Sequence, residues 1–176
     1  MHGSIFVCLI LLMVELSVGG KYTVSDVQVG KDPSHSIRIV PHVKNEGDAI
    51  LIRGTIYVLK PLSNENTFNV IVYRQNTKTN TEKQLIQLKG KGACDALNKN
   101  IGPIFAEVEG LAGVPNPGGC PIPVGNYTLK DWYTIDFSRV PIFSMIPKAT
   151  FRLTVKMFTP DWKNELTELA LRFTKS

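Results

Sequence analysis

Side chains that could carry out chemistry are few in this chain of 176 residues. Its three cysteines and three histidines do not stand at the spacing of a zinc site, and the Gly-x-Ser-x-Gly and His-Glu-x-x-His patterns of hydrolases are absent. Gly90-Lys-Gly-Ala-Cys-Asp holds two glycines of a nucleotide-binding fingerprint but lacks the third. A hidden catalytic triad using His35 or His42 is the weaker alternative. We expect a protein that is not an enzyme and that holds no cofactor and no metal.

The first twenty residues are predicted to be a secretory signal peptide. An apolar run from Ile5 to Leu16, interrupted by Glu15, is followed by Ser-Val-Gly-Gly at 17–20, which suits a signal-peptidase site. The run is shorter than the roughly 20 residues of a membrane span. An uncleaved signal anchor is the alternative. We therefore expect residues 21–176 to form one domain that is secreted to the extracellular space.

The cysteines that would remain in the mature chain predict a disulfide. Removal of the signal peptide takes away Cys8 and leaves Cys94 and Cys120. In an oxidising compartment, two cysteines most simply form one bond with each other. A free reactive thiol, or a bond to a second chain, is the alternative.

Most of the chain alternates apolar and polar residues with a period of two, which is typical of strands with one solvated face. The alternation is clear from Ile50 to Val58, from Tyr127 to Phe137 and from Phe151 to Met157. With 43% hydrophobic and 20% charged residues, the composition is that of a globular protein. We predict a mainly β fold of antiparallel strands.

Two segments depart from this regular alternation. Between the two cysteines the pattern predicts a short helical insertion: a helical turn from Asp95 to Asn100, then a helix with Pro103 as a first residue and with Gly110 and Gly113 at its end. The segment from Leu166 to Phe173 fits either a helix or a strand. We favour the strand, on local grounds.

Two stretches around the cysteines resemble a known family. Gly90-Lys-Gly-Ala-Cys-Asp-Ala-Leu and Cys120-Pro-Ile-Pro-Val-Gly-Asn-Tyr-Thr-Leu look like the corresponding parts of the secreted insect CheB-type proteins. Those proteins belong to a broader arthropod group similar to the ganglioside activator protein, of the ML-like lipid-recognition kind. Phe151-Arg-Leu-Thr-Val-Lys-Met-Phe is similar to the penultimate strand of that group. The resemblance covers nearly the whole mature chain.

The resemblance implies an antiparallel β-cup, a curved sandwich around an apolar cavity that takes lipid chains, for residues 21–176. Activator proteins lift a glycolipid from a membrane and present it to a hydrolase, and CheB-type proteins are associated with contact chemosensation. The ganglioside activator uses several disulfides, whereas this chain can make only one. That difference argues against the enzyme-helper role more than against the fold.

Apolar residues on the inward faces of the predicted elements are the candidate lining of such a cavity. The alternative is a filled sandwich core, because periodicity does not distinguish a filled core from a hollow one. The candidate lining residues are Phe105, Val108, Ile122, Tyr127, Tyr133, Phe137, Phe151 and Leu153.

An unusually apolar loop is predicted between two strands, flanked by Arg139 and Lys148. Loops normally lie on the surface, and an exposed apolar patch usually marks a binding surface. The loop could close over a lipid at the rim or touch an anionic membrane; the alternative is a loop that plugs the core. Its apolar residues are Val140, Ile142, Phe143, Met145 and Ile146.

Asn126-Tyr-Thr is the one N-glycosylation sequon of the mature chain. It lies at the start of a predicted strand, where a glycan could project. We predict a glycan on Asn126, and an unused chance triplet is the alternative.

The expected function is that of a secreted binding protein for a hydrophobic, lipid-like or pheromone-like ligand, with the chemosensory role in an arthropod that the resemblance implies. One alternative is an activator that presents glycolipid to a secreted or lysosomal hydrolase. Another is a receptor-interaction protein with a filled core. Expected partners are an apolar small molecule, a membrane in transient contact, and a receptor or a hydrolase. The net charge of +5 is dispersed along the chain, so we expect no nucleic-acid partner.

Overall fold

The computed structural model describes residues 21–30, 35–136, 139 and 146–176, so the predicted signal peptide lies outside the described residues. Within them the chain forms eight strands and one helix. Their bounds are β1 Tyr22–Val29, β2 Ile37–Glu46, β3 Ala49–Val58, β4 Thr67–Asn76, β5 Thr81–Lys91, α1 Ala93–Ala112, β6 Gly125–Ile135, β7 Ala149–Phe158 and β8 Glu165–Lys175.

The strands form two antiparallel sheets, which confirms the predicted mainly β fold. The large sheet has the order β1-β8-β7-β4-β5, and the small sheet has the order β2-β3-β6. Alternate side chains of a strand face opposite ways. In β7, Leu153 and Val155 face the interior between the sheets, whereas Arg152 binds Glu82 on the outer surface. The alternation seen in the sequence therefore separates an interior face from a solvated one.

The two segments that depart from the alternation are a strand and a helix in the structure. Residues 165–175 are strand β8, as favoured, because they pair on one side with β1 and on the other with β7. The insertion between the cysteines is helical, as predicted, but α1 begins at Ala93, ten residues before Pro103. Gly110 lies inside the helix. Gly113, in a left-handed conformation at φ 82°, ends it, as glycine readily does.

At one side of the sandwich, a side chain links edge strand β1 of the large sheet to edge strand β2 of the small sheet. The Asn45 side chain of β2 accepts a hydrogen bond from the Val24 N–H of β1 at 2.9 Å and donates one to the Val24 carbonyl at 2.7 Å. Nearby, Lys21 forms an ion pair with Asp48 at 2.5 Å. One side-chain amide thus satisfies both backbone groups of Val24, where the register of β1 shifts. We call this edge, where β1 meets β2, the closed side.

The helix spans the gap between the other two edges. α1 follows β5 with one intervening residue, Gly92, and packs against β6. Its two halves meet at Ile101, whose φ of −132° and ψ of 17° are not helical. The kink lets a single segment run from the edge of the large sheet to the edge of the small one.

A bulge bends the small sheet. The register between β3 and β6 shifts between Ile52 and Gly54, and bulges increase the local bend of a strand. Opposite Gly54, β2 carries Pro41, which an edge strand tolerates. A β-carbon on Gly54 would collide with the carbonyl oxygen of Val40, so the close approach of the two strands requires glycine here.

Candidate functional site

The two sheets and α1 enclose a cavity of about 380 Å³. Ligand pockets in proteins occupy about 300 to 1,000 Å³, so the volume suits a small molecule. The filled-core alternative is therefore wrong for this interior. The sheets supply most of the wall, with Ile37, Ile39, Ile56, Val58, Phe68, Val70, Val72, Leu153, Val155, Met157, Leu169 and Phe173.

One face of α1 forms the rest of the wall. Its lining residues recur every three or four positions, which is the spacing of an amphipathic helix. Leu111 is on another face and is 60% exposed. The apolar stripe that faces the cavity consists of Ala93, Leu97, Ile101, Phe105, Val108 and Ala112.

The accessible wall of the cavity is almost entirely carbon. Two polar side chains of the wall bond to the backbone. The Tyr127 hydroxyl donates to the Pro123 carbonyl at 3.0 Å. The Glu109 carboxylate accepts a hydrogen bond from the Gly118 N–H at 2.6 Å through Oε2. Its other oxygen, Oε1, is buried and has no hydrogen-bond partner among the described residues. Burial raises the pKa of Glu109, partly opposed by the Gly118 hydrogen bond.

A disulfide and a side-chain amide tie the first half of α1 to the loop that follows it. The predicted bond between Cys94 and Cys120 is present, with Cα atoms 6.1 Å apart. Asn98 Nδ2 donates to the Gly118 carbonyl at 2.9 Å. Both cysteines belong to or pack against an apolar cluster that includes Ala93. The helix is thereby held over one end of the cavity.

The second half of α1 is tied to the β6 side by Glu107. Its Oε2 atom accepts a hydrogen bond from the Tyr133 hydroxyl at 2.9 Å and another from Arg139 Nη1 at 2.8 Å. These two donors, Arg139 first, lower the pKa of Glu107. The interaction is on the surface, so it orients the helix more than it stabilises the fold.

Five of the eight predicted lining residues do line the cavity: Phe105, Val108, Ile122, Tyr127 and Leu153. Two do not. Phe151 is fully buried, with its ring stacked on Phe173 at 5.5 Å between centroids, so it supports the wall without forming it. Tyr133 directs its hydroxyl to Glu107. Phe137 lies outside the described residues.

Of the predicted rim or membrane loop, only the end is described. Val140, Ile142, Phe143 and Met145 lie outside the described residues. Ile146 is 5% exposed and lines the cavity, so the chain turns inward at this position. The Ile146 carbonyl accepts a hydrogen bond from the buried Lys175 Nζ at 2.9 Å. Here the loop contributes to the wall.

Asn126, the predicted glycosylation site, is exposed near the start of β6. It pairs with Tyr57 of β3 in the small sheet. A glycan on this side chain would project away from the cavity, because the next residue, Tyr127, faces inward.

Sequence reasoning missed more than half of the lining, including Ile37 and Val58 at the ends of β2 and β3. Their signal was present, since both belong to alternating runs, but many buried residues share that pattern. The first half of α1 was predicted only as a helical turn from Asp95 to Asn100, because Pro103 is the predicted first residue of the helix proper. The helical spacing from Ala93 to Leu97 is the signal that extends the helix back to its true start.

The described residues contain no group of three or more His, Cys, Asp or Glu side chains that could hold a metal ion. None of the helical structure in that part of the chain is both long and apolar enough to span a membrane.

Comparison with known proteins gives likenesses to solved structures but none to a known sequence family. No protein-family model matches the chain, and no curated protein matches it. Among solved structures, it is similar to the crystal structure of chicken MD-1 complexed with lipid IVa, at 10% sequence identity and a TM-score of 0.36. The match covers 89% of this chain and 98% of the other.

Proposed function

We propose that this chain is a secreted protein that binds a lipid-like or other hydrophobic ligand in the cavity and carries out no chemistry itself. The observation that carries the proposal is the hollow, carbon-lined interior of about 380 Å³. Cores of folded proteins are normally packed as densely as organic crystals. An interior left open to this extent, with its wall held in place by two sheets and a tethered helix, favours a ligand as its natural occupant.

Burial alone would supply the affinity. Transfer of a methylene group from water to an apolar surrounding contributes about 0.8 kcal/mol. An aliphatic chain of about a dozen carbons would therefore gain about 10 kcal/mol, which exceeds the cost of association over the lower half of its range of roughly 4 to 15 kcal/mol. Few specific hydrogen bonds are needed, which agrees with a wall that offers few polar atoms.

The chemosensory part of the proposal rests on the resemblance of the two cysteine-containing stretches to CheB-type proteins. Its support is the Cys94–Cys120 bond, which joins those stretches, and an oxidising compartment is where such a bond persists. We propose that the ligand is a pheromone or related lipid in an arthropod. Secretion is part of the same proposal.

The test begins with the protein purified from a eukaryotic host. Its organic extract is analysed by mass spectrometry, and the delipidated protein is titrated with a fluorescent fatty-acid probe. We expect a co-purified lipid-like molecule, or saturable probe binding that aliphatic compounds displace. An empty extract together with no probe binding would refute the proposal.

A further inference from the structure

The apolar wall of the cavity is interrupted by a few polar side chains. Among the described residues that line it, these are Asn100, Glu109, Tyr127 and Thr167. Asn100 is exposed, and its Nδ2 donates to the Ala96 carbonyl at 2.7 Å. The Tyr127 hydroxyl donates to the Pro123 carbonyl. Glu109 and Thr167 are each 5% exposed, and we call these two residues the polar pair.

Thr167 turns its side chain into the cavity because of its place in β8. Leu169 and Phe173 lie on the same face of this strand, and both also line the cavity. Two other threonines among the described residues are buried, but they do not line the cavity. The Thr67 hydroxyl donates to a backbone carbonyl, and the Thr154 hydroxyl accepts from a guanidinium. Thr167 is therefore the buried threonine whose hydroxyl is placed to meet a molecule inside the cavity.

Glu109 has a buried oxygen that the described part of the chain does not satisfy. Its Oε2 accepts a hydrogen bond from the Gly118 N–H at 2.6 Å. The carbonyl of Gly118 in turn accepts one from Asn98 at 2.9 Å, which fixes the carboxyl against the loop. Oε1 is buried and has no partner among the described residues. A buried polar atom without a partner is unfavourable, and a ligand group that bonds to Oε1 would remove that cost.

Both members of the polar pair adjoin the same apolar cluster. Thr167 pairs with Met157 across β8 and β7. The Val114 N–H donates to the Glu109 backbone carbonyl at 2.9 Å. Met157 and Val114 belong to the buried cluster that also contains Cys94. The polar pair therefore lies toward the disulfide end of the cavity.

On this basis, and resting on the proposed function, we propose that the ligand is an aliphatic molecule with a hydroxyl or carbonyl oxygen in its buried part, and that Glu109 and Thr167 bind this oxygen. The Thr167 hydroxyl both donates and accepts hydrogen bonds. A carboxyl oxygen accepts from a ligand hydroxyl when ionised and donates to a ligand oxygen when protonated. The polar pair thus selects such a molecule over a plain hydrocarbon of the same length, which would leave it unsatisfied.

Alcohols of identical composition test the ligand class. The positional isomers of dodecanol, from 1-dodecanol to 6-dodecanol, compete with the fluorescent fatty-acid probe. We expect one preferred isomer, about tenfold tighter than the weakest, because only one position of the hydroxyl meets the polar pair. Equal affinities of all isomers would overturn the inference while leaving the proposed function intact. Failure of the probe and of every isomer to bind would instead refute the proposed function.

Matched variants in β8 test Thr167. Thr167→Val keeps the branched shape of the side chain and removes the hydroxyl. We expect it to weaken binding of the preferred isomer about three- to tenfold relative to the other isomers. The control is Thr174→Val on the opposite face of the same strand, where the hydroxyl bonds to Thr150 at 3.0 Å. It should keep the native preference. An unchanged preference in Thr167→Val, or an equal loss in both variants, would remove Thr167 from the site.

Two substitutions of similar length test Glu109. Glu109→Gln retains an oxygen for the Gly118 N–H and a second polar atom for the ligand, so we expect it to keep the preference among the isomers. Glu109→Met removes both polar atoms and should narrow the preference several-fold. Binding of the fluorescent probe verifies that each variant is folded. The native preference in Glu109→Met, or the same narrowing in Glu109→Gln, would remove Glu109 from the site.

Discussion

Glu109 is the one acidic side chain among the described residues that line the cavity. It is 5% exposed and keeps only one of its two oxygens hydrogen-bonded. Desolvation penalises its charged form, so burial raises its pKa. Two positions earlier on the same helix, Glu107 is exposed, and its pKa is lowered by Arg139 and Tyr133. The contributions of the two glutamates to the stability of the fold therefore change with pH in opposite directions.

Glu109→Gln is expected to change stability in a pH-dependent way. As pH rises above about 4.5, the unfolded carboxyl ionises freely while the folded one resists, so the native Glu109 makes the fold progressively less stable. The difference in free energy of unfolding, variant minus native, should therefore be larger at about pH 8 than at about pH 4. Urea unfolding at both values measures the difference in free energy.

Glu107→Gln is the control for that measurement. A carboxyl with a lowered pKa stabilises the fold above its unfolded pKa and loses that contribution as pH falls. The Glu107→Gln variant should have a lower free energy of unfolding than the native protein at about pH 8, and this difference should shrink at about pH 4. The same pH trend in both variants would contradict a raised pKa at Glu109 and a lowered pKa at Glu107.

Among the elements, α1 depends most on a covalent tether. The bond from Cys94 to Cys120 spans 26 positions of the chain and restricts the unfolded ensemble. We expect Cys94→Ser combined with Cys120→Ser to lower the free energy of unfolding by roughly 3 to 4 kcal/mol. Urea unfolding measures it, and the native protein under reducing conditions should reproduce the loss. A loss well below about 1 kcal/mol would mean that packing alone holds the helix.

The strands could be predicted and the helix only in part. Regular alternation in segments such as Phe151 to Met157 reports directly on which side of a sheet is solvated. The start of α1 was placed too late because Gly92, with φ 80°, and Ala93 carry no side-chain cap to mark it, and the spacing from Ala93 to Leu97 was the remaining signal. Gly113 marked the end, since its conformation favours glycine.

At the scale of the whole molecule, the hollow interior leads to a prediction about added bulk. Val155 lines the cavity, whereas Val24 is 9% exposed and belongs to a packed cluster. Val155→Phe should keep the native stability and weaken probe binding, because the ring occupies free volume. Val24→Phe should instead lower the free energy of unfolding by about 1 to 3 kcal/mol through overpacking.

Thermal and urea unfolding, with the probe titration alongside, measure both variants. Comparable destabilisation by Val155→Phe and Val24→Phe would show that the space beside Val155 is already filled in solution. Both variants carry the same substitution, so the volume added is the same and the difference reports mainly on the space beside each residue.

The cavity could not be derived from the sequence. Ile37, Phe68 and Leu169 face it, but the same apolar alternation would suit side chains that meet across a sandwich. Whether they meet is decided by the separation of the sheets, which depends on the closed side and on α1. Only the family resemblance pointed to a hollow interior before the fold was known.

Different contacts hold the two sheets together at the two sides of the sandwich. On the closed side, one amide of Asn45 fixes the backbone of Val24; on the other, the distance from β5 to β6 depends on a kinked helix. A rotation of the small sheet about the β1–β2 edge would therefore displace β6 most and β2 least. Such a rotation would widen the cavity for a ligand of larger girth without breaking the pairing within either sheet.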